Sequence, residues 1–143
     1  DWGVALNPTL WIFAEGPAKD DLAAVRTPWM SAVTRRAQAM GVTLSAGTDS
    51  MIQGGDALPM LHRELEAEVA AGLSPMEALV SATSGAARGI GIDGSRGTLA
   101  AGKTADIVLT DADPAADIRN TRRIRVVIKG GRLVHQAQIP GGR

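Results

Sequence analysis

The chain contains no cysteine, which excludes disulfides, thiolate metal sites and a cysteine nucleophile together. It also lacks a charge excess of either sign, since 15 basic and 15 acidic side chains leave a formal net charge of zero. The basic residues are scattered, apart from Arg119, Arg122, Arg123 and Arg125, so there is no broad electrostatic footprint for nucleic acid and no such partner is expected. That arginine group lies just ahead of an expected strand and reads as a solvated edge that discourages strand-to-strand aggregation. No apolar run reaches the roughly 18 residues of a membrane span. The start, Asp1 to Leu10, lacks the charged-then-apolar pattern of a signal peptide, so no membrane partner is expected and the compartment is left undetermined. A chain that opens Asp1-Trp2-Gly3-Val4 without an initiator methionine is expected to be cut from something longer.

What is present is an ordinary globular composition, 143 residues of which 45% are hydrophobic. A chain of this size can bury roughly 68% of its unfolded surface, enough for one compact core if all its parts are present. Gly3 to Leu6 and Leu10 to Phe13 are short apolar runs, stopped by Asn7-Pro8 and by Glu15-Gly16-Pro17, and read as a short buried strand followed by a loop. Thr27 as N-cap and Pro28 at the first helical position predict a helix start, with Met30, Val33, Ala37 and Met40 as its apolar stripe and Gly41 as its stop. Val42 to Gly47 is strand-like and ends in Thr48-Asp49-Ser50, after which Gly54-Gly55 continues a loop. Met60 to Ala71 predicts a second helix, with Leu61, Leu65, Val69 and Leu73 on its stripe and His62, Arg63, Glu66 and Glu68 off it. Ser74-Pro75-Met76-Glu77 is a capping box opening a helix through Thr83, and a further short helix is expected over Ser84 to Ile90. Strands alternating with helices on short loops are the pattern of a parallel α/β fold.

After about residue 95 the pattern changes to all-β. Gly97 to Leu99, Ala105 to Thr110, Ile124 to Lys129 and Arg132 to His135 read as strands, with Gly130-Gly131 as a tight hairpin link.

Three stretches together resemble the amidohydrolase superfamily, particularly its imidazolonepropionase-like and Xaa-Pro dipeptidase branch. They are Gly41 to Asp49; Leu61-His62-Arg63-Glu64-Leu65 through Ala71-Gly72-Leu73-Ser74-Pro75 to Ala82-Thr83; and Gly97-Thr98-Leu99 through Ala105-Asp106-Ile107-Val108 to Lys129-Gly130-Gly131. Asn7-Pro8-Thr9-Leu10 adds a fainter match. The resemblance implies an α/β fold class: the C-terminal portion of a metal-dependent hydrolase (β/α)8 TIM barrel over residues 1–94, then a segment of a small composite β-sandwich over residues 95–143. A complete barrel takes roughly 250 residues, so an N-terminal barrel part, in cis or in another chain, is implied as a partner.

The resemblance also implies the chemistry: hydrolysis of an amide, cyclic amide or peptide-like carbon–nitrogen bond, assisted by one or two divalent metal ions, usually zinc. The residue matching the family's metal aspartate is Asp49, expected to bind metal through one carboxylate oxygen and to act as general base through the other. The family's histidine ligands, and often a modified lysine, come from strands that precede this aspartate. Here the two histidines, His62 and His135, both follow it. His62 is expected at the barrel rim and His135 at the surface of the hairpin. Gly54, Gly55 and Asp56 read as a turn that borders the substrate or simply as loop; Glu64 and Glu77 as helix supports; Lys103 and Asp106 as residues of the tail hairpin; Trp11 and Trp29 as core residues in preference to pocket walls. The isolated chain is therefore expected to be inactive. The alternative reading is a non-catalytic, self-associating scaffold, and a third is a fragment without an independent role.

Overall fold

The computed structural model describes residues 4–14, 23–49 and 60–137. The expectations for Gly54, Gly55 and Asp56 lie outside these. Ala5–Leu6 (β1) and Thr43–Leu44 (β2) pair in parallel, Ala5 opposite Thr43 and Leu6 opposite Leu44. Parallel neighbours need a crossover, and it contains two helices, Leu10–Ala14 (α1) and Ala23–Ala39 (α2).

The first helix corrects the sequence reading of this segment as strand and loop. Leu10 and Trp11 open α1, and their amide hydrogens, which no intrahelical carbonyl can satisfy, are accepted by the two carboxylate oxygens of Glu64 at 2.9 Å each. The acceptor lies more than fifty residues away in sequence, so local pattern carries no trace of it.

The second helix begins at Ala23 rather than at Thr27, with Pro28 inside it. Its first turn is tied to α1: the Arg26 guanidinium lies over the Phe13 ring, 5.8 Å from its centroid, and the Thr27 hydroxyl donates to the Phe13 carbonyl at 3.4 Å. These tertiary contacts override the local start signal. The expected inner stripe is also displaced. Val33 and Met40 are exposed, Trp29 is 63% exposed and so is not a core residue, and the buried position is Thr34, whose hydroxyl is satisfied by the Met30 carbonyl. Gly41, at φ 77°, ends the helix as expected.

Met60–Ala70 (α3) and Pro75–Val80 (α4) follow β2. The capping box is present in both halves, with the Ser74 hydroxyl accepting from the Glu77 amide at 3.2 Å and the Glu77 carboxylate from the Ser74 amide at 2.7 Å. Hydrogen bonds to its carboxylate from the Ser74 amide, the Ser74 hydroxyl and the Gln38 side chain hold the Glu77 carboxyl below its usual pKa. Instead of a separate helix after Thr83, a π-helical turn over Ser81–Gly85 runs continuously into Ala86–Gly89 (α5). At Gly85 this turn touches β2 directly: a Cβ there would lie 2.1 Å from the Leu44 carbonyl oxygen and 3.0 Å from that of Val80, so only glycine allows the approach. A hydrogen bond from the Ala46 amide to the Ser81 carbonyl, 3.1 Å, fastens the strand's end to the same turn.

The buried face of α3 differs from the apolar stripe. Leu65 is buried, but so are the acidic side chains Glu64 and Glu68, while Leu61 is exposed. Leu65, Ala78 and Ile118 form a core cluster with Ala46, Val69, Leu79 and Ala82 packed against it.

In the tail, Ile107–Thr110 (β3), Ile124–Lys129 (β4) and Arg132–Gln136 (β5) form an antiparallel sheet in the order β3-β4-β5. Gly130 and Gly131, both at positive φ, turn the β4–β5 hairpin. The Asp106 carboxylate accepts from the Gly130 amide at 2.7 Å and pairs with Arg96, as expected of a hairpin support. Lys103 donates to the Asp93 carbonyl at 2.7 Å, closing the loop ahead of the sheet. Gly97 to Leu99 is not a strand: Gly97 takes a left-handed φ of 86° against the Ala87 side chain, and Leu99 is 79% exposed. A 3-10 helix over Ile118–Arg122 docks the tail on α3, with Arg122 bridging to Glu66 at 2.7 Å. Arg119 and Arg125 pair with Asp117 and Asp111, and Arg125 stands on β4, the central strand of the sheet, so the arginine group is a set of paired residues and not the solvated strand edge that the sequence suggests.

Candidate active site

Asp49 follows the C-terminal end of β2, the end of a parallel strand at which barrel enzymes gather their reacting groups. Its side chain is exposed and its backbone is left-handed, φ 44°. Aspartate and asparagine tolerate that conformation better than other side chains, because their short polar groups bond locally.

The backbone beside it is held by residues that the sequence presents only as packing. Trp11, 3% exposed, donates its indole N–H to the Thr48 carbonyl at 2.6 Å. The Trp11 amide in turn donates to Glu64, so a buried carboxylate on α3 fixes α1, and α1 fixes the residue before Asp49. Burial pushes the Glu64 carboxyl pKa up, and the two amide bonds pull it back by favouring the ionised form. Nothing short of the folded chain brings Glu64, Trp11 and Thr48 together; the one sequence cue was an acidic residue close to a hydrophobic stripe.

The other candidates lie away from this point. The His62 Nδ1 is 3.0 Å from the Thr121 hydroxyl, which also lies 2.8 Å from the Ile118 carbonyl, so His62 links α3 to the tail. Burial first, then the nearby Arg122 charge, keeps its pKa below the ordinary imidazole value. His135 is exposed on β5. Asp49 is not among the residues that line the cleft between Gln38, Val42, Glu77 and Arg88. Among the described residues, no three His, Cys, Asp or Glu side chains cluster closely enough to hold a metal ion. No described helix is long and apolar enough to cross a membrane.

Residues 24–134 match the model of the Amidohydrolase family. The chain belongs to this family. An imidazolonepropionase of Shewanella woodyi is 40% identical over 67 residues, which are 45% of this chain and 16% of that protein. A Xaa-Pro dipeptidase crystallised with methionine in its active site superposes with a TM-score of 0.75 at 29% identity, over 94% of this chain and 35% of the dipeptidase. Phenylurea hydrolase B superposes with a TM-score of 0.70 at 25% identity, over 97% of this chain and 34% of that enzyme. This amidohydrolase chain thus spans about a third of the length of such solved relatives, and its parallel β-α part carries their α/β barrel fold.

Proposed function

We propose that Asp49 is a metal ligand and general base of a hydrolase that cleaves a carbon–nitrogen bond in a small amide, cyclic amide or dipeptide-like molecule. The observation that carries this reading is an exposed carboxylate in the segment that leaves the C-terminal end of a parallel strand, beside a backbone carbonyl pinned by the Trp11 indole. The relatives' names, imidazolonepropionase and Xaa-Pro dipeptidase, support the substrate class.

A carboxylate suits a divalent cation such as zinc, but a catalytic site normally uses three protein ligands, and the described residues supply one. The remaining ligands belong to the rest of a barrel, in cis or in another chain, so the 143 residues alone are inactive. When bound, the metal lowers the pKa of water and polarises the scissile carbonyl. The residues of this chain do the rest. Asp49 takes the proton from the attacking water and delivers it to the leaving nitrogen, while Trp11 and Glu64 hold it in place for both transfers. Residues 1–94 are the barrel part and 95–143 the sandwich segment. The outward apolar residues of α2, Val25, Trp29 and Val33, spaced four apart, support a covering helix from the remainder of the barrel.

Assaying the full gene product on cyclic amides and Xaa-Pro dipeptides, before and after chelation, tests the reading. Turnover that chelator abolishes and zinc restores is expected; turnover untouched by stripping all metal contradicts it.

A further inference from the structure

We propose that Glu68 carries a proton in the folded protein and donates it to the Ser81 hydroxyl, clamping α3 to the π-helical turn that anchors the end of β2. The geometry leaves little choice of donor. Ser81 Oγ is 2.6 Å from Glu68 Oε2 and 2.7 Å from the Ala78 carbonyl oxygen, yet a hydroxyl has one hydrogen. The carbonyl can only accept. Once the serine hydrogen is directed there, the short contact to Glu68 is a hydrogen bond only if the carboxyl supplies the second hydrogen.

The surroundings agree with a neutral acid. Glu68 is fully buried, and among the described residues its Oε1 has no hydrogen-bond partner. A carboxylate so placed would be a nearly unsolvated charge, whereas the carbonyl oxygen of a neutral acid costs far less when left bare. Glu64, one turn earlier on α3 and equally buried, adds a negative charge nearby that opposes a second one. Among the described residues of the packed elements, no cation compensates. Arg122 of the 3-10 helix is committed to Glu66, Arg119 pairs with Asp117, Glu77 of α4 sits in its capping box, and α1 presents amides that Glu64 already accepts. Burial raises the Glu68 carboxyl to about 8 from the usual 4.5, the contact with Ser81 pulling it down and the Glu64 charge pushing it up.

The clamp reaches toward Asp49 through the backbone. The Ser81 carbonyl accepts from the Ala46 amide at 3.1 Å, three residues before Asp49 on the same strand end. Glu68 is then a positioning residue. Its link to catalysis rests on the hydrolase reading; the proton itself does not.

A group whose pKa is raised by folding contributes stability that is complete below its unfolded value and is lost as pH rises through its folded value. The comparison is urea unfolding of the full gene product and its Glu68→Gln variant from about pH 5 to about pH 9, because glutamine keeps a donor for Ser81 and cannot ionise. Relative to the variant, the wild-type folding constant is expected to fall roughly tenfold per pH unit, levelling off above about pH 8. In wild-type protein labelled with 13C at the glutamate carboxyls, one resonance is expected to keep its protonated position at neutral pH, a readout that survives even if the variant does not fold. Parallel pH profiles for the two proteins, or glutamate signals all at the carboxylate position at neutral pH, overturn the proposal. Failure of the hydrolase reading shows separately, in metal content and turnover, which neither measurement uses.

Discussion

Replacing Asp49 with asparagine in the full gene product is expected to lower kcat by about 10²–10⁴-fold from loss of the general base alone, and further if metal is lost with it. The substitution separates chemistry from fold. Asparagine accepts the left-handed backbone at this position as readily as aspartate does, and the side chain is exposed, so neither burial nor backbone strain changes. Thermal unfolding is therefore expected to stay close to wild type while steady-state turnover collapses. Unchanged kcat in a metal-loaded Asp49→Asn protein would remove Asp49 from the chemistry.

Glu64→Ala is expected to destabilise the fold by about 2–6 kcal/mol, from two buried amide groups each left bare at about 1–3 kcal/mol. Those amides, on Leu10 and Trp11, have the Glu64 carboxylate as their acceptor. Glu64→Gln should cost less, since its amide oxygen still serves one N–H while its NH2 group opposes the other. In either variant the loosened α1 releases the Trp11 indole from the Thr48 carbonyl, so any folded fraction should also turn over more slowly, with Asp49 still present. Urea denaturation gives the first effect and kinetics on the Glu64→Gln protein the second. A loss under about 1 kcal/mol for the alanine variant would mean that α1 finds its N-terminal partners elsewhere.

The contrast between these two residues shows what the sequence can disclose. Asp49 is singled out by the family resemblance, whose first stretch ends on it; an aspartate among small residues after a strand-like run reads locally as no more than a cap. The capping box at Ser74 and Glu77, the stop at Gly41 and the Gly130-Gly131 hairpin were legible from the residues themselves, each being satisfied within a few positions. Glu64 and Glu68 were not, because a helical wheel assigns carboxylates to water, and what buries these two is an amide pair from α1 and a hydroxyl from the π-helical turn. The start of α2 failed in the same way. Thr27 and Pro28 form a sound local signal, but the chain is already helical from Ala23 on, where Arg26 lies over the Phe13 ring. Gly97 to Leu99 carried a strand-like composition, yet the glycine's contact with Ala87 makes it a bend. The family resemblance identified the barrel portion and its tail, while the supports around the candidate site emerged only from long-range contacts.

The most direct test is anomalous diffraction at the zinc edge from crystals of the full gene product grown with zinc. A peak within about 2.0–2.2 Å of an Asp49 carboxylate oxygen, completed by ligands from outside the residues described, is expected. Zinc bound at another place, with the Asp49 carboxylate turned onto backbone amides, would contradict the account.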